Sequence, residues 1–239
     1  MGIIPSKKTV KPVILKLIDK PQKGGITSLL SDEDDVYEKF YKKLVEIPED
    51  KPIDIIITTH GGSAIWCSKI CYVLSTRSGK SRVFVKHYAH SAGAVIALSA
   101  SELYITYDTT LSAIDAQGFP LSDLFTTSIN KLATLVQHPK QAFIDLTNSR
   151  SNYFRENVEK YLNAEHNKEL IMQKMHDQSP IHEQLFFKND FDDLGIKYKL
   201  WNGDIRKRLE LAYKNKSLKS NTNIKNNITT EISKTVIDV

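Results

Sequence analysis

The sequence predicts an α/β fold, a parallel sheet assembled from βαβ units and followed by a helical C-terminal part. Three features lead to it. "IDIIITT" (53–59) is an almost continuous β-branched run, the mark of a strand buried on both faces of a sheet. From there to residue 107, strand-like and helix-like segments alternate over about fifty residues, which calls for right-handed crossovers between parallel strands. Two of these strands run into small-residue turns, Gly61-Gly62-Ser63 and Ser91-Ala92-Gly93, at the end of the sheet where open α/β folds hold ligands.

Each element has its own local reason. "PVILKLID" (12–19) alternates like a strand, and "KGGITS" (23–28) is a turn or loop. Ser31 followed by acidic residues suits the positive N-terminus of a helix, whose face carries Val36, Tyr37, Phe40, Tyr41 and Leu44 and which Pro48 and Pro52 close. After the strand at 53–59 a helix is expected over 64–76, with Ile65, Cys67, Ile70, Cys71, Val73 and Leu74 apolar, and then the turn "RSGKS". "RVFVKHY" (82–88), "SAGAVIALSA" (91–100) and "LYITY" (103–107) read as strand, small-residue helix and strand. Beyond Pro120 the pattern turns helical, at 122–137, 139–149 and 151–175, with breaks near Pro139 and Pro180. This divides the chain into a flexible start (1–11), one domain (12–213) and an Asn/Lys/Ser-rich, largely disordered tail (214–239) in which "EISKTVIDV" keeps a strand-like composition.

The composition, 41% hydrophobic and 26% charged, is that of a globular protein with a sizeable core. The formal charge of +5 does not mark a nucleic-acid binder, because the lysine-rich ends carry it and the body is close to neutral. Cys67 and Cys71, four apart on a helix with no further Cys or nearby His, read as reduced packing thiols, so no metal site is expected. No membrane-length apolar run and no signal peptide is seen, which points to an intracellular, cytoplasmic protein. "MGIIPSKK" fits M-G-x-x-x-[ST], making Gly2 a candidate myristoyl acceptor, with Lys7, Lys8 and Lys11 as a second, electrostatic signal for peripheral membrane contact.

The chemistry concentrates at the two turns. Glycine after a buried strand lets the backbone approach a ligand, and amides at a helix start point outward unsatisfied, so they can hold an oxyanion. Ser91 at the start of the second helix would place a hydroxyl beside that site, and the small Ala92 and Gly93 would leave room for a tetrahedral intermediate. Taken alone, Ser91 is better read as a helix N-cap.

"ITTHGGSA" followed by "HYAHSAGAVIALSASELYITYDTTLSAIDAQ" resembles the Clp protease and crotonase superfamily, most closely its serine dehydrogenase proteinase branch, and is similar to signal peptide peptidase A. The likeness is specific over 53–117 and looser through "HDQSPIHEQLFFKNDFDDLGIKYKLW" (176–201). It implies a Clp/crotonase-like spiral of βαβ units, a homo-oligomer, a polypeptide substrate, no cofactor, and Ser91 as nucleophile with the backbone amides of Gly61, Gly62 and Ala92 as oxyanion hole. The match breaks at the base. Asp115 stands where the Clp proteases keep histidine, which leaves Lys131 as a lysine base, with Lys140 or Arg150 in other alignments, or His176 oriented by Asp177. A solvated loop pair is the plainer reading of His176 and Asp177. His90 is expected to point away from the hydroxyl, while His60 and His87 are strand-end neighbours of the site. Three functions stay open at this point: a serine peptidase, an inactive oligomeric scaffold, and a crotonase-like acyl-coenzyme A enzyme.

Overall fold

The computed structural model describes residues 11–19, 33–114, 152–179, 181, 184–201, 207 and 236–237. Strands β1 (Val13–Ile18), β2 (Ile53–Thr59), β3 (Ser81–Ala89) and β4 (Glu102–Ile105) lie side by side in chain order, all parallel. Helices α1 (Glu33–Val45), α2 (Ala64–Thr76) and α3 (Ala92–Ser99) connect them. Strand order that steps one place in one direction, with right-handed crossovers, puts every connecting helix on the same face. The apolar side chains follow: Leu15, Leu17, Ile53, Ile55, Ile57, Val83 and Val85 share one core with Tyr37, Phe40 and Leu44 of α1 and with Ile70 and Leu74 of α2. The other face carries a smaller cluster of Ile14, Ile56, Phe84 and Tyr104, with Trp201 packed against it. This is the expected α/β architecture, singly wound, and β2 is buried on both faces as its sequence requires.

Two irregularities shape the carboxyl end of the sheet. Between β2 and β3 the register slips, Ile57 pairing with Val85 but Thr59 with Ala89, so β3 carries two extra residues there. Such bulges re-aim a strand next to functional sites. Strand β3 then forks, its first half pairing with β4 and its last two residues, Tyr88 and Ala89, with the short β5 (Thr110–Ser112). Helix α3 is buried along its whole length, which only a run of small and aliphatic residues permits. Gly93 is required there, since a Cβ on it would stand 2.4 Å from Thr59 Cγ2.

The helix expected over 151–175 is broken. The chain is helical over 152–161 (α4), turns, and re-enters helix at α5 (Lys168–Ile171), which widens into a π-helical turn at Met172–Asp177. The cause is Asn163, whose side chain donates to the Ala100 and Ser101 carbonyls (2.7 and 3.0 Å) past the end of α3 instead of continuing α4. Asn167 then caps α5, its Oδ1 accepting from the Leu170 amide at 3.2 Å. Beyond it come β6 (Leu185–Phe186), antiparallel to β5; α6 (Lys188–Asp193); and β7 (Lys199–Leu200), parallel to β4. Val236–Ile237 forms β8, a parallel partner for Ile14 and Leu15 of β1. The helices expected at 122–137 and 139–149 fall outside the described residues.

Candidate active site

Ser91 lies between β3 and α3 with φ 48° and ψ −120°, and among the described non-glycine residues it alone has a positive φ. An L-residue in that region costs about 1–3 kcal/mol, a strain that persists only where the surroundings impose it. The imposing contacts are visible on both sides. Ser91 N–H donates to Ser112 Oγ at 2.8 Å, and the Ser91 carbonyl accepts the amides of Ala94 (2.9 Å) and Val95 (3.2 Å). Its side chain makes no capping hydrogen bond, so the N-cap reading is overturned. Among the described residues the hydroxyl meets no hydrogen-bond partner at all, and the residue is partly exposed.

The first corner stands against it. A Cβ placed on Gly61 would lie 2.8 Å from Ser91 Cβ and 3.3 Å from Ser91 Oγ, and Gly61 takes φ +118°, so glycine is demanded twice over. The Gly61 amide is not open to a ligand: it donates to Thr59 Oγ1 at 3.1 Å. That removes one of the three expected oxyanion donors, and the physical reason is the tight turn, which folds this N–H back onto the strand it leaves. The amides of Gly62 and Ala92 meet no acceptor among the described residues, whereas Gly93 N–H is taken by the His90 carbonyl at 2.8 Å.

The histidines sort themselves. His90 turns its Nε2 to Thr110 Oγ1 (3.1 Å), and its ring packs against Tyr88 (centroids 5.0 Å apart). His60, exposed, packs against the same Tyr88 ring (4.5 Å) and meets His90 edge-on at 5.7 Å, so the three rings form one cluster. Burial and the nearby Asp19 carboxylate raise the Tyr88 phenol above its usual pKa. His87 is exposed and pairs with Asp108 at 3.5 Å.

His176 and Asp177 are not a solvated loop pair. They end the π-helical turn, His176 is buried, and its Nδ1 lies 2.8 Å from Asp177 Oδ1. The turn reaches the Ser91 wall through the backbone, the Ile114 amide donating to the Met175 carbonyl at 2.9 Å two residues beyond Ser112. Asp177 also accepts from Arg155 Nε at 3.0 and 3.3 Å. Burial pushes the Asp177 carboxyl up, but the bonds from Arg155 and His176 outweigh it and hold it below its usual value. Arg155, Ser112, Thr59 and Asp19 were not singled out from the sequence. A threonine ending a buried strand just before Gly-Gly was the available signal for Thr59; the others depend on pairings that no local pattern carries. Gly2, Asp115, Lys131, Lys140 and Arg150 lie outside the described residues.

Behind the site, the Cys67 and Cys71 thiols are free, buried and 3.9 Å apart, and Cys67 Sγ donates to the Ala92 carbonyl at 3.4 Å. The neighbouring Cys71 thiol and burial push Cys67 well above the ordinary thiol pKa, which marks it as a packing group.

A singly wound parallel sheet, with a strained serine at one strand-to-helix corner and a Gly-Gly turn on the adjoining strand, defines a ClpP-like α/β protein. The chain belongs to the ClpP-like SDH-type serine proteinases, whose family model it matches over residues 26–199. It is also similar to two uncharacterized proteins of Methanocaldococcus jannaschii, MJ0137 and MJ1495, each 36% identical over 80 residues. That stretch is 34% of this chain and 28% and 27% of theirs, so the match spans little more than a quarter of the curated relatives. Among the described residues no helix is long and apolar enough to cross a membrane.

Proposed function

We propose that the chain is a serine peptidase in which Ser91 Oγ attacks a peptide carbonyl and the Gly62 and Ala92 amides receive the developing oxyanion. The observation that carries this reading is the strained, uncapped Ser91, set against Gly61 with its hydroxyl unpartnered among the described residues. A serine that only capped a helix would sit in an ordinary β conformation and bond the helix amides. Attack forms a C–O bond as the serine proton passes to a base; the amine then leaves with a proton, and water hydrolyses the ester.

For the base we assign His176. The support is Asp177 Oδ1, 2.8 Å from Nδ1, a carboxylate that can orient the imidazole and stabilise it when it takes up a proton. Lys131 is the alternative. Family membership makes a homo-oligomer the expected assembly, and the Gly2 motif with its lysines the expected means of peripheral membrane contact.

A fluorophosphonate probe tests the reading. Labelling of wild type at Ser91, absent in Ser91→Ala, with casein cleaved only by wild type, is the expected result. A folded wild-type protein that neither labels nor cleaves would instead favour the inactive scaffold. His176→Gln is expected to slow labelling at least ~100-fold while Lys131→Ala does not, and the reverse pattern would move the base to the lysine.

A further inference from the structure

We propose that Thr59 and Asp19 are positioning residues that lock the two corners of the site to one another; the catalytic consequence rests on the peptidase reading above, the geometric one does not. Thr59 ends β2 and is fully buried. A threonine hydroxyl has one proton to give and two lone pairs to receive. Here the proton goes to Asp19 Oδ1 at 2.6 Å, so the lone pairs accept the Gly61 amide at 3.1 Å and the Tyr37 hydroxyl at 3.2 Å. The hydroxyl is therefore saturated, a condition that holds a buried polar group in one orientation.

The same residue reaches the second corner by two other routes. Its carbonyl accepts the His90 amide at 2.9 Å, one residue before Ser91, and its Cγ2 fills the space that a side chain on Gly93 would need. Thr59 thus touches the Gly61 turn with its oxygen, α3 with its methyl group and the approach to Ser91 with its backbone. Asp19 adds the last fixed point, its second oxygen accepting the His60 amide at 2.5 Å. It stands one residue past β1 because Ile18 pairs with Thr58, so the sheet register delivers a carboxylate to the end of β2. Tyr37 completes the cradle from α1: a Cβ on Gly62 would strike its ring at 2.8 Å, so the ring bounds the Gly62 corner from behind.

None of these groups needs to touch substrate. Their effect is on where the Gly62 amide points relative to Ser91 Oγ, and misplacement of such groups by about 1 Å costs on the order of 10²-fold in rate.

Two substitutions separate the oxygen from the methyl group. Thr59→Val keeps the contact with Gly93 and removes the hydroxyl; Thr59→Ser does the opposite. The expected result is that Thr59→Val slows fluorophosphonate labelling of Ser91 at least ~30-fold, and lowers kcat with KM little changed, while Thr59→Ser stays within ~3-fold of wild type. Amide hydrogen exchange at His60 and Gly61, measured by NMR in a Ser91→Ala background, should quicken at least ~10-fold in Thr59→Val and not in Thr59→Ser. This second reading needs no working nucleophile, so it decides the geometric claim even if wild type never labels. Should Thr59→Val fail to fold, Asp19→Asn, on a partly exposed residue, must show the same exchange gain at His60. Unchanged exchange at both amides, or equal losses of labelling in the Val and Ser variants, would overturn the proposal.

Discussion

The two ends of the sheet differ in how they treat carboxylates and hydroxyls. At the amino end, where β3 and β4 begin, each charge meets its complement. Glu102 accepts from Lys80 (3.0 Å) and from the Tyr104 hydroxyl (2.9 Å) and pairs with Lys199 (3.2 Å), Asp54 is held by Arg82 at 2.6 Å, and Ser81 and Ser101 exchange hydrogen bonds. A cleft of about 260 Å³ lies there, lined by Lys80, Glu102, His166 and Lys199 among others, yet no backbone corner or strained residue faces it. At the carboxyl end a hydroxyl and two amides are without partners among the described residues, in backbone that glycine and one strained serine must hold. Partnered polar groups stabilise the native state, whereas groups held open by their surroundings are available for chemistry, so this cleft says less about function than the carboxyl end does.

The sharpest way to break this contrast is Ser91→Gly. Glycine adopts φ 48° without strain, so the variant should lose all labelling, a drop of at least ~10³-fold, while gaining about 1 kcal/mol in urea unfolding. A loss of stability would mean that the serine is not strained.

Next in size is acid titration of His166 near the amino end. It is buried, its Nδ1 accepts the Lys197 amide at 3.0 Å, and its Nε2 makes no well-aligned hydrogen bond among the described residues. Burial lowers its pKa from 6.5 to about 4, against the Leu98 carbonyl, which pulls the other way. The unfolded chain therefore binds a proton that the folded chain refuses. Stability should be complete above pH 6.5 and fall by ~3 kcal/mol as pH drops toward 4. His166→Asn, which keeps an acceptor near the Nδ1 position, should flatten that part of the melting-temperature profile.

Gly93→Ala comes third. Its Cβ would meet the Thr59 methyl group, buried and tied on every side, so helix propensity will not rescue it. A cost of about 1–2 kcal/mol in thermal unfolding is expected, with slower Ser91 labelling.

The smallest effects belong to Glu102 and its partner Lys80. Burial raises the Glu102 pKa, but hydrogen bonds from Lys80, Tyr104 and Lys199 prevail and hold it at about 2. Its contribution is present above pH 4.5 and lost as pH falls toward 2, so Glu102→Gln should lower stability above pH 4.5 by an amount that shrinks to nothing as pH falls toward 2. Lys80, largely exposed, should matter least, and Lys80→Ala should leave Ser91 reactivity unchanged.

How far the sequence reached can be followed residue by residue. The helix expected over 64–76 is found at those bounds, and the strands and helix at 82–88, 91–100 and 103–107 are found within two residues, because each keeps one hydrophobic period along its length. The break in 151–175 was not legible, because Asn163 leaves the helix for carbonyls some sixty residues earlier. Strands β5, β6 and β7 are two or three residues long, too short to show a period.

The site divides in the same way. The placing of small residues around Ser91 and of Gly-Gly after β2 follows from local chemistry, since only those side chains fit those corners. That the Gly61 amide turns away, that a carboxylate from β1 and a hydroxyl from α1 meet on Thr59, and that His176 is buried beside Asp177 depend on strand register and on contacts between distant segments. Local pattern fixes which backbone a segment can adopt, because propensity and periodicity act over a few residues. Which hydrogen-bonding groups end up satisfied is settled only when distant strands pair, and in this protein that difference separates its framework from its chemistry.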